Sequence, residues 1–300
     1  MAQQTRTAVA AAAVTAVSRN DSAGINIHRF DQRSPFRVNA FVVEDADGLV
    51  TIDATLTESA STAFRAKIDE LAKPLRAVLL THPHPDHYAG LGNLVAGLDV
   101  PIFSVAGVNE VVRRDDAAKN EVIGGMFGTE WPRHRVFPNT TVKDGDVVTF
   151  DAMRFEVRDV GPAESHHDSM FVLQGAALHV FAGDIAYGLM HPFMADNQNP
   201  AWKRAIERVQ SELPEDAILH IGHGPPITPG FLRWQTTYLD IFENALRRAD
   251  WGDPAAAQTC VTAAMCAYLP SDELLFLMQL SIMPNAERLG LIKEGRRDGP

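Results

Sequence analysis

The sequence predicts a mixed α/β fold, with two sheets packed face to face and helices outside them. Two observations lead there. Segments of β-type patterning fall into two groups, each followed by helical patterning, whereas a doubly wound parallel sheet would alternate strand and helix more regularly. The apolar fraction of 46% over 300 residues is that of a globular chain able to bury a sizeable core. Beyond residue 230 the pattern is purely helical, an appendage to that core or a lid over one end of it.

Taken in order, residues 1–24 are Ala-rich and read as a helix or a loose leader. The apolar run 8–17 is far short of the roughly 20 residues that span a bilayer, and Arg6 alone ahead of it makes a poor export signal. Residues 25–30, 37–43 and 48–52 read as strands, with Asp47-Gly48 as the hairpin turn between the last two. Residues 58–72 carry apolar side chains at helical spacing until Lys73-Pro74 stops them. Strand patterning at 76–81 and 101–104 is followed by a helix over 108–119. The segment 122–132 places Met126, Phe127 and Trp131 around three glycines; it either walls a pocket or packs into the core. Strands are expected at 135–137, 147–150, 154–160, 169–173, 178–182 and 217–221, with a helix at 201–211. Helices at 232–249, 254–268 and 271–282 complete the chain. The organisation expected is a leader or helix over 1–24, a catalytic domain over 25–230 and a helical extension over 231–300.

The chemistry concentrates in Thr81-His82-Pro83-His84-Pro85-Asp86-His87. Three imidazoles and a carboxylate fall within six residues at the end of a buried strand. An extended backbone points His82 and His84 the same way, and a tight turn then brings Asp86 and His87 to a second position nearby. Imidazole with carboxylate is the ligand set of a hydrolytic zinc site, and it also suits iron or manganese. No Gly-x-Ser-x-Gly nucleophile motif competes. Cys260 and Cys266 lie far away in the tail and read as core thiols, and His220 as a packed core histidine.

The spacing His82-x-His84-x-Asp86-His87 resembles the signature of the metallo-β-lactamase superfamily. Gly183-Asp184 resembles the position of that family's metal-bridging aspartate, and Gly222-His223-Gly224-Pro225 the motif of its final histidine ligand. Residues 38–41 and 49–54 are similar to its opening hairpin. The resemblance implies an αββα sandwich with the metal site in loops at one edge of the sheets. It further implies His82 and His84 on a first metal, Asp86, His87 and His223 on a second, and Asp184 bridging them. Asp86 would also orient the nucleophile or pass a proton. The family's third histidine for the first metal has no plain counterpart in Gly161-Pro162-Ala163-Glu164-Ser165-His166-His167. Glu164, His166 and His167 all remain open for that position, and a carboxylate there would make the metal a weaker Lewis acid.

The function expected is therefore a zinc hydrolase, with one or two ions per chain, acting on a small ester, lactone, thioester or amide; the His cluster with a following tyrosine is lactonase-like. Tyr187, His191 and Trp131 are candidate substrate contacts. An iron-dependent oxidoreductase of the same fold and a non-catalytic binding protein are the alternatives. A formal charge of −11 repels phosphate backbones, so the partner expected is a small molecule rather than nucleic acid or membrane. A cytoplasmic location is expected, and the Met-rich tail (Met265, Met278, Met283) reads first as packing filler, with a lid or homodimer contact as the alternatives.

Overall fold

The structure, a computed structural model, describes residues 13–18, 24–175 and 177–292. Its first sheet contains β1 (Ala13–Ser18), β2 (Asn26–Gln32), β3 (Val38–Glu44), β4 (Leu49–Ile52), β5 (Leu75–Leu79), β6 (Ile102–Val105) and β7 (Thr140–Val142), side by side in that order. β1 to β4 pair antiparallel and β4 to β7 parallel. The second sheet runs β12 (Ile218–His223), β11 (His179–Tyr187), β10 (Asp168–Leu173), β9 (Met153–Gly161), β8 (Val147–Phe150), antiparallel except for β11 with β12. The hairpin at Asp47-Gly48 forms as its sequence demands: Asp45 Oδ1 accepts from the backbone N–H of both residues.

Apolar side chains from both sheets meet between them. Phe41 of β3 lies edge-on to Phe181 of β11 at 5.5 Å, and Phe155 of β9 approaches the same ring. Helices flank this pair. α1 (Glu58–Glu70), capped by Thr57, packs Phe64 on Phe30, with α2 (Pro85–Tyr88), α3 (Leu91–Leu94) and α4 (Ala106–Phe127) near the first sheet's parallel end. α5 (Asn199–Glu212) and α6 (Leu232–Arg248) build a second apolar cluster with Val180, Leu219 and Ile221 of the second sheet. α7 (Pro254–Tyr268) and α8 (Leu275–Arg288) join that cluster through Val261, Met265, Met278 and Ile282. This is the expected αββα sandwich.

Four local expectations are corrected. Residues 13–18 form an edge strand on β2, not part of a helix; residues 1–12 and 19–23 of the expected leader lie outside the described residues. Residues 122–127 are the last turns of α4 rather than a loop. Gly124 lets the helix pass close to the Trp131 indole, since a β-carbon there would sit 3.1 Å from that ring. Residues 135–137 are not a strand: Arg135 is held by Asp116 and by the Ala89 carbonyl, and pairing with β6 starts at Thr140. Cys260 is exposed and Cys266 half-buried, because α7 turns its alanine-rich outer faces to solvent and packs through Ala257, Val261 and Met265. Among the described residues no helix is long and apolar enough to cross a membrane.

Candidate metal centre

β5 runs parallel between β4 and β6, and its continuation delivers Thr81 and His82 to the edge of the sandwich. Pro83 and Pro85 keep the chain extended before α2, so His82 and His84 project together with ring centroids 5.0 Å apart. Pro85 then opens α2, where its missing N–H costs nothing, and the turn carries Asp86 and His87. β11 and β12 end at the same edge and bring Asp184 and His223. The two glycines of those motifs are there for close approach. A β-carbon on Gly222 would lie 2.0 Å from Asp184 Oδ1, and one on Gly183, at φ 51°, 2.9 Å from Thr81 Oγ1.

Two groups of ligand atoms result, each within 4.8 Å: His82, His84, Glu164 and Asp184, and Asp86, His87 and His223. His84 Nδ1 lies 2.8 Å from Glu164 Oε2, and His82 Nε2 lies 3.9 Å from it and 3.7 Å from Asp184 Oδ2. His223 Nε2 is 3.3 Å from Asp86 Oδ2 and 3.0 Å from Asp184 Oδ2; His87 Nε2 is 3.5 Å from Asp184 Oδ1. Asp184 touches both groups. Of the three residues left open in the sequence, Glu164 is the one the structure brings into this group. His166 points instead to Gln198, and His167 to Asp159 beside Gly107, so neither reaches the centre.

Every histidine is oriented from behind. Asp53, at the end of β4, accepts from His87 Nδ1 at 2.8 Å and from Thr81 Oγ1, which in turn faces His82 Nδ1 at 3.0 Å. One buried carboxylate therefore turns the Nε2 atoms of both rings inward. His84 Nε2 meets Asp196 at 3.2 Å. His223 Nδ1 donates to the Arg37 carbonyl, while Asn39 of β3 donates to the carbonyls of Ile221 and Gly224 on either side of it. Asp53 and Asp196 carry no pattern in the sequence. The only signal was a lone acid at the end of an apolar strand for the first, and none for the second.

The electrostatics are those of a cation site. Burial pushes the Glu164 carboxyl up to about 8 despite the opposing pull of His84. Burial would lower His87 and His223, yet the surrounding carboxylates, Asp184 foremost, raise His87 well above its ordinary value and His223 to about 10. His82, buried beside His87, is pushed well down. A divalent cation set among these carboxylates would balance their charge.

The three residues expected to contact substrate fare differently. Tyr187 lines the cavity over the centre, but its hydroxyl lies 2.9 Å from both Glu164 Oε1 and Asp184 Oδ2, and its ring stacks on His223. It positions the carboxylates. His191 is fully buried, bonded to the Tyr238 hydroxyl and the Ser271 carbonyl, and Trp131 is buried with its Nε1 donating to Asn120. Neither lines the cavity: His191 is bonded into the helical extension and Trp131 is packed under α4. His220 is the core histidine expected, paired with His179.

The sequence model of the Metallo-beta-lactamase superfamily matches residues 33–223, from the turn before β3 to the last histidine of the centre. The chain belongs to that superfamily. It is 41% identical to the uncharacterized protein YobT of Bacillus subtilis (strain 168) over 59 residues, 20% of this chain and 25% of that one. The probable metallo-hydrolase YybB of the same organism is 31% identical over 77 residues, 25% of this chain and 34% of YybB. The chain thus spans about a quarter to a third of the length of these curated relatives. A metallo-beta-lactamase family protein from Thermus thermophilus shares the fold at a TM-score of 0.63 with 19% identity, over 91% of this chain and 96% of that one.

Metallo-β-lactamase superfamily members bind divalent metals and are mostly hydrolases, and the residues present here fit such a group. His82 Nε2, His87 Nε2, Glu164 Oε2 and Asp184 Oδ1 are buried side-chain atoms without a hydrogen-bond partner. Such atoms are costly unless something satisfies them. Glu164 Oε2 and His84 Nδ1 lie 2.8 Å apart without hydrogen-bonding geometry, as two donors aimed at one ion would. A third group, Asp53 with His82 and His87, also has metal-binding spacing, but Asp53 is already engaged by the Nδ1 side of the histidines.

Proposed function

We propose that this protein is a zinc-dependent hydrolase of a small ester, lactone, thioester or amide. The observation that carries the reading is the convergence of four unpartnered buried ligand atoms, from His82, His87, Glu164 and Asp184, at one edge of the sandwich. His82, His84 and Glu164 would hold a first ion and Asp86, His87 and His223 a second, with Asp184 between them. Zinc supplies Lewis acidity there, bringing the pKa of water to about 7 and polarising a carbonyl. Asp86 is the most exposed of the three carboxylates, its side chain 16% accessible against 1% or less for Asp184 and Glu164. It is therefore placed to take the proton of the attacking water and return it to the leaving group. Tyr187 fixes the oxygens of Glu164 and Asp184, and the walls above them are largely apolar.

Elemental analysis of protein purified without added metal tests the reading. The expected result is close to two zinc ions per chain, and Glu164→Gln, which keeps the shape and removes the charge, should lower that count towards one together with esterase activity. Protein that holds no metal and takes up none on titration overturns the proposal. One observation favours a second reading, an iron-dependent oxidoreductase. His82, His84 and Glu164 form a two-histidine, one-carboxylate set of the kind that suits ferrous iron. Iron in the same analysis, with dioxygen uptake, would move this reading ahead.

A further inference from the structure

We propose, building on the hydrolase reading, that the substrate is a carboxylic ester whose acyl group is a single uncharged apolar chain of about six to ten carbons, seated between α4 and α8. One cavity of about 390 Å³ opens over His84, Asp86, Asp184 and Tyr187, a volume in the range of small-molecule sites. The charged groups that line it are all tied to the histidine centre. Asp196 is bonded to His84, Asp86 faces His223, and the Lys119 ammonium donates to the carbonyl of Pro83, between the two histidines. The other walls are apolar. Phe36 stacks on Phe276 of α8 at 4.7 Å and meets Phe127 of α4 edge-on, closing one side as an aromatic clasp.

The mouth is apolar as well. Val122 and Met126 of α4 and Leu280 of α8 are 65%, 67% and 56% exposed, three of the six large apolar side chains left in solvent among the described residues. All three border this cavity. Such a patch on facing helices above a reactive centre marks a binding site, and a hydrocarbon chain running from the histidines to the mouth covers it. The reaction adds the oxygen of water to the acyl carbon and breaks the bond between that carbon and the alkoxy oxygen. The products are the carboxylate, the alcohol and a proton.

The test is hydrolysis of p-nitrophenyl esters from acetate to decanoate by the zinc-loaded protein. Each added methylene buried against these walls should raise kcat/KM about fourfold, until the cavity fills. Binding of butanoate and octanoate, the corresponding products, is measured alongside by calorimetry, with octanoate expected to bind at least tenfold more tightly. In the double variant Met126→Gln, Leu280→Gln, altered only at exposed positions, the octanoate-to-acetate ratio of kcat/KM should fall tenfold or more. Hydrolysis with a flat chain-length profile overturns this inference and leaves the hydrolase reading standing. No hydrolysis with octanoate still preferred overturns the ester assignment made here while the apolar chain site stands, and the hydrolase reading is then decided by the metal analysis above. If the mouth is instead covered by a second copy, sedimentation shows a dimer that the double variant splits, with equal binding of the two acids, and the inference fails.

Discussion

At the scale of single residues, the centre depends on side chains that touch no substrate. Asp53 serves two histidines at once, one directly and one through Thr81, so it sets which nitrogen each ring offers. Removing such an outer partner typically costs 10–100-fold in metal affinity. Asp53→Ala is expected to weaken zinc binding by about that factor in competition with a chromophoric chelator, while far-ultraviolet circular dichroism stays native. Unchanged affinity would mean that packing alone orients His82 and His87. The histidines themselves were legible in the sequence because four ligand-type residues crowd into six positions. Asp53 and Asp196 were not, because their partners lie 34 and 112 residues away and a lone aspartate forms no pattern. Glu164 was legible only as one of three choices. What decides it is the turn, in which Asp168 accepts from the Ser165 backbone and hydroxyl and so aims Glu164 inward.

At the scale of elements, periodicity located most strands and helices, and its failures have physical causes. A helix that runs through Gly124-Gly125 reads as a loop until the neighbouring indole is known, and the edge strand β1 reads as helical because alanine favours helices when no partner strand is visible. The pairing of β11 with β12 also buries a titratable group away from the metal centre. His220 lies against Phe181 and Phe41 and is bonded to His179, and burial pushes its imidazole down to about 3. A histidine whose native pKa is depressed favours folding fully above its unfolded value near 6.5. That contribution is lost as the pH falls from there towards 3, because the unfolded chain takes up a proton the native one refuses. His220→Phe should therefore remove up to about 1.4 kcal/mol of pH-dependence per unit in this window. Urea unfolding of chelator-treated protein at pH 4 to 7, mutant against wild type, reads the difference. Parallel curves would show that His220 stays neutral in both states or charged in both.

At the scale of the whole molecule, the helical extension shares an apolar cluster with the second sheet and also grips one loop of the metal-binding sandwich. Met194, between β11 and α5, is held by α8 from both sides of its peptide: its N–H donates to Ser281 Oγ at 2.7 Å, and its carbonyl accepts from Asn285 Nδ2 at 2.7 Å. Asn285 also accepts from Asn199 at the start of α5. The same loop carries Phe193, edge-on to His84, and Asp196, bonded to it. The extension, whose fold role the sequence left open between appendage and lid, thus steadies the loop behind a candidate ligand and walls the cavity with Phe276 and Leu280. Asn285→Ala strips buried partners from Met194 and Asn199, at roughly 1–3 kcal/mol for each group left unpaired. The expected outcome is a loss of about 2 kcal/mol or more in urea unfolding, together with weaker zinc binding, because Asp196 and Phe193 lose their support. Gln279→Ala on the exposed face of the same helix should change neither. If Asn285→Ala lowers stability but leaves zinc affinity untouched, α8 supports the fold without steadying the metal centre.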